Sequence, residues 1–409
     1  MKFGLEKENM TLFSQIEPLP RDPIIGLTEL FNKDQRQQIY NLGVGVYFDK
    51  TGKVPILESV RIAQKNLIEK DCPKTYLPMN GTANFCDNAK TLVLGEEISC
   101  VDSIFTVQTL GGTGALKLGA ELLKRTDKVP LVAISDPSWE NHRNIFESSG
   151  FKVVSYPYYD KKINNLCYSD LISTLGRLPS QSVVVLHASC HNPTGIDFTT
   201  EQWQEVLDLV NKKNLVPFFD FAYQGFKTSL EKDRLVLEQF SKYNRPFLVA
   251  SSFSKNFSLY GERVGALTTS VGAGEDKNKA YSHVKNLIRG LYSTPPTYGQ
   301  AIVSEILSDN SIKNLWVSEL GTMRERIVKM RVLLSNLLER LIPEKSFEQI
   351  RKQNGMFSYL GLSAEDAYSL RNDYGVYILE SGRLCIAALN EGNIERVAEA
   401  ISKVISKPN

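Results

Sequence analysis

The chain has 409 residues, 42% of them hydrophobic, with 48 Lys and Arg against 46 Asp and Glu and a formal net charge of +2. That length exceeds what one hydrophobic core usually serves, so two domains are expected. The balanced charge leaves no electrostatic footprint for nucleic acid or a membrane surface, and no apolar run approaches the ~20 residues of a bilayer span.

The opening MKFGLEKENMTLFSQ is broken by Glu6, Lys7 and Glu8 before any apolar run develops, so it reads as neither a secretory signal nor a transit peptide. The six cysteines, Cys72, Cys86, Cys100, Cys167, Cys190 and Cys385, form no CxxC pair and no metal-finger spacing. Reduced thiols, a cytoplasmic setting and no bound metal are the expectation.

In chain order, Gly111-Gly112-Thr113-Gly114-Ala115-Leu116 is a glycine-rich turn entering a helix over Ala115–Lys124. It lacks the Lys of a P-loop and the spacing of a dinucleotide fingerprint, yet glycines at a helix N-terminus leave free N–H groups for an anion. Apolar runs then predict buried strands at Pro130–Ile134, Ser182–Leu186, Val216–Phe219 and Pro246–Ala250. Helices are expected between them at Asn141–Ser149, Thr200–Lys212 and Leu230–Lys242. Continuous apolar strands alternating with helices imply an α/β fold with a mostly parallel central sheet and helices on both faces.

A polar cluster follows each strand: Asp136-Pro-Ser-Trp139, His191-Asn-Pro-Thr-Gly195, Asp220-Phe-Ala-Tyr223 and Ser252-Phe-Ser-Lys255-Asn256. Ligands of open α/β sheets bind outside the carboxyl ends of the strands, so these clusters should share one site. Beyond Pro295 a long helix is expected over Thr297–Leu341. Gly355–Lys407 then mixes the short strands MFSYL, GVYIL and RLCIAA with a helix at Asn393–Ile405, a smaller α+β domain. The first ~45 residues are expected to pack with this smaller unit.

Lys255 is either a solvated loop lysine or an amine placed for a Schiff base with an aldehyde cofactor; Ser252, Ser254 and Arg263 beside it would suit a phosphate. Asp220 at a strand end needs a partner, either a structural cation or a pyridinium nitrogen, and Tyr223 could reach a ring oxygen. Asn192 sits in a tight turn that aims its amide inward. His187 and His191, with Cys190 between them, lie where a strand runs into Asn-Pro-Thr-Gly, so helical i, i+4 geometry is not expected, which disfavours metal ligation. Trp139 is either core or a platform for an aromatic ring. Arg289 and Arg383 are either surface residues or carboxylate clamps.

Taken together, HNPTG, DFAYQGF and SFSKNFSLYGERVG, in this order and spacing, make the chain resemble the aspartate/aromatic aminotransferase family, fold type I of the enzymes that use pyridoxal 5'-phosphate, from about Ile39 to Leu389. The resemblance implies that Lys255 carries the cofactor as a Schiff base and shuttles a proton between Cα and C4′. It implies that Asp220, supported by His142, pairs the ring nitrogen, that Asn192 and Tyr223 bond the ring oxygen, and that Trp139 stacks on the ring. Gly112, Thr113, Ser252, Ser254 and Arg263 match phosphate positions, and Tyr76 matches a tyrosine that reaches the partner subunit's phosphate.

By the same resemblance, Arg383 matches the clamp for the substrate α-carboxylate, and Gly45, Trp139 and Asn192 line the substrate. Arg289 matches the arginine lent to a side-chain carboxylate across a homodimer with shared active sites. Implied partners are small amino acids and 2-oxo acids. Implied domains are an arm at 1–46 that forms part of the small domain, a large cofactor-binding domain at 47–318 and a small C-terminal domain at 319–409. Gly45–Phe48 and Val54 correspond to a pocket entrance. Phe48, Val54 and the TYLPMNG segment look closer to the aromatic branch, although Thr75 and Thr294 depart from both branches. The expected reaction is ping-pong transfer of the amino group of Tyr or Phe, and also of aspartate, to 2-oxoglutarate. An aspartate aminotransferase with strong dicarboxylate preference is the alternative.

Overall fold

The structure, a computed structural model, describes residues 12–14, 16–161 and 163–406. The reading of MKFGLEKENMT as no leader, and Lys407 at the end of the C-terminal segment, therefore lie outside the described residues.

Seven stretches rich in β-branched and aromatic residues form one sheet: β1 (Ile104–Leu110), β2 (Val132–Asp136), β3 (Val153–Pro157), β4 (Val183–His187), β5 (Val216–Phe221), β6 (Phe247–Ser252) and β7 (Val264–Ser270). Their order is β1-β7-β6-β5-β4-β2-β3. β7 runs antiparallel to both neighbours, and the run from β6 through β3 is parallel. The four expected strands are present, each reaching one or two residues further toward the polar cluster that follows it. β1 and β7 escaped the apolar pattern because threonines interrupt them. Thr is β-branched, and its buried hydroxyl finds a partner: Thr106 and Thr268 hydrogen-bond across the two strands at 2.8 Å.

β4 shows why the sheet sits at the centre. Val184 and Leu186 point into one core cluster while Val183 and Val185 point into the other, so period-two alternation buries both faces. Each such side chain contributes roughly 1.5–3 kcal/mol. β2 leads outward to β3 on one side, and β4 leads to β5 and β6 on the other. The crevice between β2 and β4 is therefore a topological switch point.

The single helix expected over Thr297–Leu341 is two helices, Tyr298–Ser308 and Asn310–Leu341. Gly299 and Gly321 do not interrupt them. The break falls at Asp309, in extended conformation, whose carboxylate accepts the N–H groups of Ser311 and Ile312 at 2.8 and 3.0 Å. An N-cap thus outweighs the continuous helical pattern.

Phe357–Tyr359 pairs antiparallel with Arg383–Cys385, and Tyr40–Asn41 pairs parallel with Val376–Tyr377, which ties the N-terminal segment to the C-terminal one. Leu27 packs on Tyr377 and Leu379 beside it. Among the described residues, no helix is long and apolar enough to cross a membrane.

The long helix also caps a neighbour. Glu58–Glu69 has no side-chain cap from its own N-cap residue, Leu57. Glu319 supplies one, accepting from the N–H of Glu58 at 2.5 Å, the N–H of Ser59 at 3.2 Å and the Ser59 hydroxyl at 2.6 Å. Glu319→Ala should destabilise the fold by about 1 kcal/mol, read as a lowered denaturation midpoint with kcat unchanged.

Candidate active site

The four strand-end clusters do converge. A cavity of about 260 Å³ at the switch point is lined by Trp139 after β2, Asn192 after β4, Asp220 and Tyr223 at the end of β5, and Ser252, Ser254 and Lys255 at the end of β6. Gly45, Gly112, Thr113, Arg263 and Arg383 complete the set brought together from the sequence.

At one end sits an anion cradle. The helix expected from Ala115 begins at Gly111, so the glycine-rich turn is itself the first helical turn, and Gly112 and Thr113 carry N–H groups with no intrahelical acceptor. Gly111 has φ +68°, and a Cβ there would lie 2.6 Å from Arg263 Nη2, so only glycine lets that guanidinium come so close. Arg263 Nη1 donates to Ser254 Oγ at 3.3 Å and to the Tyr260 carbonyl at 3.0 Å.

At the other end Asp220 is buried, its Oδ2 2.9 Å from His142 Nε2, and His142 Nδ1 is 2.8 Å from Ser138 Oγ. Burial alone would raise the Asp220 pKa; the hydrogen bond and charge of His142, with His187 and Lys255, outweigh it and hold the carboxyl below its ordinary value.

Lys255 lies between the two ends, half-buried, with its Nζ 5.0 Å from the centre of the Tyr223 ring. Its pKa is lowered to about 8 by burial, with Asp220 opposing and the Arg263 and Arg383 guanidiniums adding to the shift. Burial likewise pushes the Tyr223 hydroxyl well above its ordinary range.

Arg383 is buried beneath the same cavity. Its Nη1 donates to Asn192 Oδ1 at 3.1 Å and its Nη2 to the Gly43 carbonyl at 2.7 Å, while Nε is buried with no partner among the described residues. Asn192 is held by its turn: Asp197 accepts the N–H groups of Cys190 and His191 at 3.1 and 2.9 Å.

Tyr76 and Arg289 do not join the cavity. Tyr76 is 91% exposed, and Arg289 is an exposed residue near the end of the helix Lys277–Leu291, with its Nη1 on Ser293 Oγ. Of the Gly45–Phe48 and Val54 entrance, only Gly45 lines the cavity. Phe48 is half-buried with its N–H on the Ala387 carbonyl, and Val54 is exposed outside.

Ile24, Leu116, Ala222, Tyr260 and Phe357 line the cavity without having been marked as site residues. Tyr260 and Ala222 lie inside the quoted motifs, where they were legible. Ile24 and Phe357 come from distant segments, and only the tertiary fold brings them in. The histidines also regroup. His191 is engaged by Ser135 and Thr194, whereas the parallel register opposes His187 to Asp220. Among the described residues, His142, His187 and Asp220 hold ligand-type atoms within 4.8 Å of one another, with the His142–Asp220 hydrogen bond already using two of them.

Residues 37–401 match the family described as Aminotransferase class I and II. The chain belongs to that family. It is 46% identical to an aspartate aminotransferase of Pseudomonas aeruginosa over 97% of this chain and 100% of that one. It is 41% identical to an aromatic-amino-acid aminotransferase of Escherichia coli over 96% and 100% of the two chains. Among solved structures it is similar to the aromatic-amino-acid aminotransferase of Burkholderia pseudomallei covalently bound to pyridoxal phosphate, with a TM-score of 0.93 and 46% identity over 97% and 100% of the chains. A chain with this ancestry and fold is an aminotransferase, α/β in architecture, as its motifs implied.

Proposed function

We propose that this aminotransferase uses pyridoxal 5'-phosphate to move the amino group of an aromatic amino acid, and also of aspartate, to 2-oxoglutarate by a ping-pong mechanism. The observation that carries this reading is the single cavity in which Lys255, with a lowered pKa, lies between an anion cradle, a buried carboxylate and a buried arginine. The cofactor fits this donor set. Backbone N–H groups, two serines and Arg263 stand at one end for a phosphate, and Asp220, the one carboxylate among the described lining residues, stands at the other. Bound there, pyridoxal phosphate supplies an electron sink for the charge left at Cα after deprotonation.

The chain's own groups do the rest. Lys255 anchors the cofactor at rest and carries the proton at Cα during turnover. Asp220 keeps a proton on the ring nitrogen, Asn192 and Tyr223 hold the ring oxygen, and Trp139 covers the ring face. Gly112, Thr113, Ser252, Ser254 and Arg263 hold the phosphate, while Arg383 takes the α-carboxylate that every donor shares. The large domain at 47–318 carries all of these groups but Arg383, which, like Gly45, comes to it from outside, from the units at 319–409 and 1–46.

Exposure of Tyr76 and Arg289 outside their own cavity supports a homodimer in which each subunit lends these two residues to its partner. Arg289 would then meet only side-chain carboxylates. Arg289→Ala should lower kcat/KM for aspartate by about 10- to 100-fold while tyrosine changes by less than about 3-fold. Equal losses for both donors would remove Arg289 from that role.

Relatives of both specificities stand at similar identity, which supports breadth. A panel of tyrosine, phenylalanine and aspartate with 2-oxoglutarate tests it: all three should turn over, and exclusion of tyrosine would leave the aspartate-restricted reading.

A further inference from the structure

Arg383 is held at two of its three nitrogens, by Asn192 and Gly43, and its guanidinium carbon lies 4.2 Å from the centre of the Phe357 ring. The contact follows from the strand register. Phe357 opposes Cys385, which makes Arg383 its diagonal neighbour on the same face of a two-stranded ribbon. The ring is 3% exposed and fixed on its other sides. It meets Tyr223 edge-on at 6.0 Å and 84°, and a Cβ on Gly45 would lie 2.9 Å from its Cζ.

Its backbone is fixed as well. Arg331, 2% exposed on the long helix, donates to the carbonyls of Gly355 at 2.6 Å, Phe357 at 3.2 Å and Ile350 at 3.4 Å, and to the Ser358 hydroxyl. These hydrogen bonds commit the buried guanidinium to the segment that carries Phe357. From the opposite side, the N–H of Asn354 bonds the Gly195 carbonyl at 2.6 Å, joining that segment to the turn that holds Asn192.

We propose that Phe357 is a positioning residue for the carboxylate clamp: its ring, locked by Arg331 and Gly45, fixes the plane in which Arg383 meets the substrate. This rests on the reading of Arg383 as the α-carboxylate clamp. An arginine side chain is long and rotamer-rich, and a planar fork binds a carboxylate bidentately only when its plane is set. Two hydrogen bonds leave the fork free to rock about the line joining them; a ring packed on one face removes that freedom and leaves the in-plane N–H edge to the carboxylate. Because the α-carboxylate is common to every substrate, Phe357 sets affinity for all of them alike and is no specificity wall.

The test is Phe357→Leu in the holoenzyme, with Phe357→Met, closer in length, beside it. KM for tyrosine, aspartate and 2-oxoglutarate should each rise about 10-fold by the same factor, with kcat changed less than about 3-fold, the pattern of lost uniform binding. Succinate, a carboxylate ligand without an amino group, should bind correspondingly more weakly by calorimetry, with the cofactor's absorption spectrum unchanged. In an Arg383→Met background the same replacement should add nothing further. Unchanged KM values in both variants, a rise confined to one donor, or full additivity with Arg383→Met would each overturn the proposal. If instead Arg383→Met leaves KM for all substrates unchanged, the clamp reading itself fails, and the two failures are told apart by that variant.

Discussion

Lys255→Ala is expected to lower kcat by at least about 10⁴-fold and to abolish the visible absorption band of covalently held cofactor, without unfolding the chain. The loss is large because one amine serves as both anchor and proton carrier. A loop lysine in solvent would titrate near 10.4, whereas burial brings Lys255 to about 8. The rate at which the cofactor-free enzyme captures free pyridoxal phosphate should therefore rise with pH to about 8 and level off, instead of climbing toward 10. The linkage has a definite sign. The folded pKa lies below the unfolded one, so the native state bears a cost below about pH 8 that is relieved as pH rises from there toward 10.4. Lys255→Ala removes that cost, so the cofactor-free variant should melt no lower than its parent at pH 7. A variant that kept the band and full turnover would defeat the assignment of Lys255.

Residues such as Lys255, Asp220, Asn192 and Trp139 were legible because a parallel sheet makes a simple promise. Each apolar run ends at the same edge, so whatever polar group follows it arrives at one place. Arg263 and Gly112 were legible for a related reason, since anion cradles use recognisable local chemistry. Phe357 was not. Its strand is three residues long and its value lies in a neighbour 26 positions away, which no local period reports. His187 failed to stand out because adjacency in sequence grouped it with Cys190 and His191, while the sheet register groups it with Asp220. The break at Asp309 shows the reverse case: the local N-cap signal was present and the longer helical pattern masked it. Phe48 and Val54 carry a similar lesson, because matching a family position at a pocket mouth does not by itself place a side chain on the cavity wall.

Asp220→Ala should cost about 10³-fold in kcat for aromatic and dicarboxylic donors alike, with KM little changed, because it removes charge stabilisation from the reacting state and not a substrate contact. Asp220→Asn separates the two things the carboxylate does. The amide keeps the size of the group and a hydrogen-bond partner for His142 Nε2, yet carries no charge to hold a proton on the ring nitrogen. A loss of about 10²- to 10³-fold in Asn as well as Ala assigns the effect to charge. Full turnover in Asn would show that Asp220 only props His142. The pH profile gives a second check. His142, His187 and Lys255 hold the carboxyl below its ordinary value against burial, so its contribution to stability is present above about pH 4 and is lost only as pH falls through the lowered folded value. Between pH 5 and 8 the wild type should therefore show no step in kcat from Asp220. A step in that range that vanished in Asp220→Asn would mean that burial, and not its three neighbours, decides its charge.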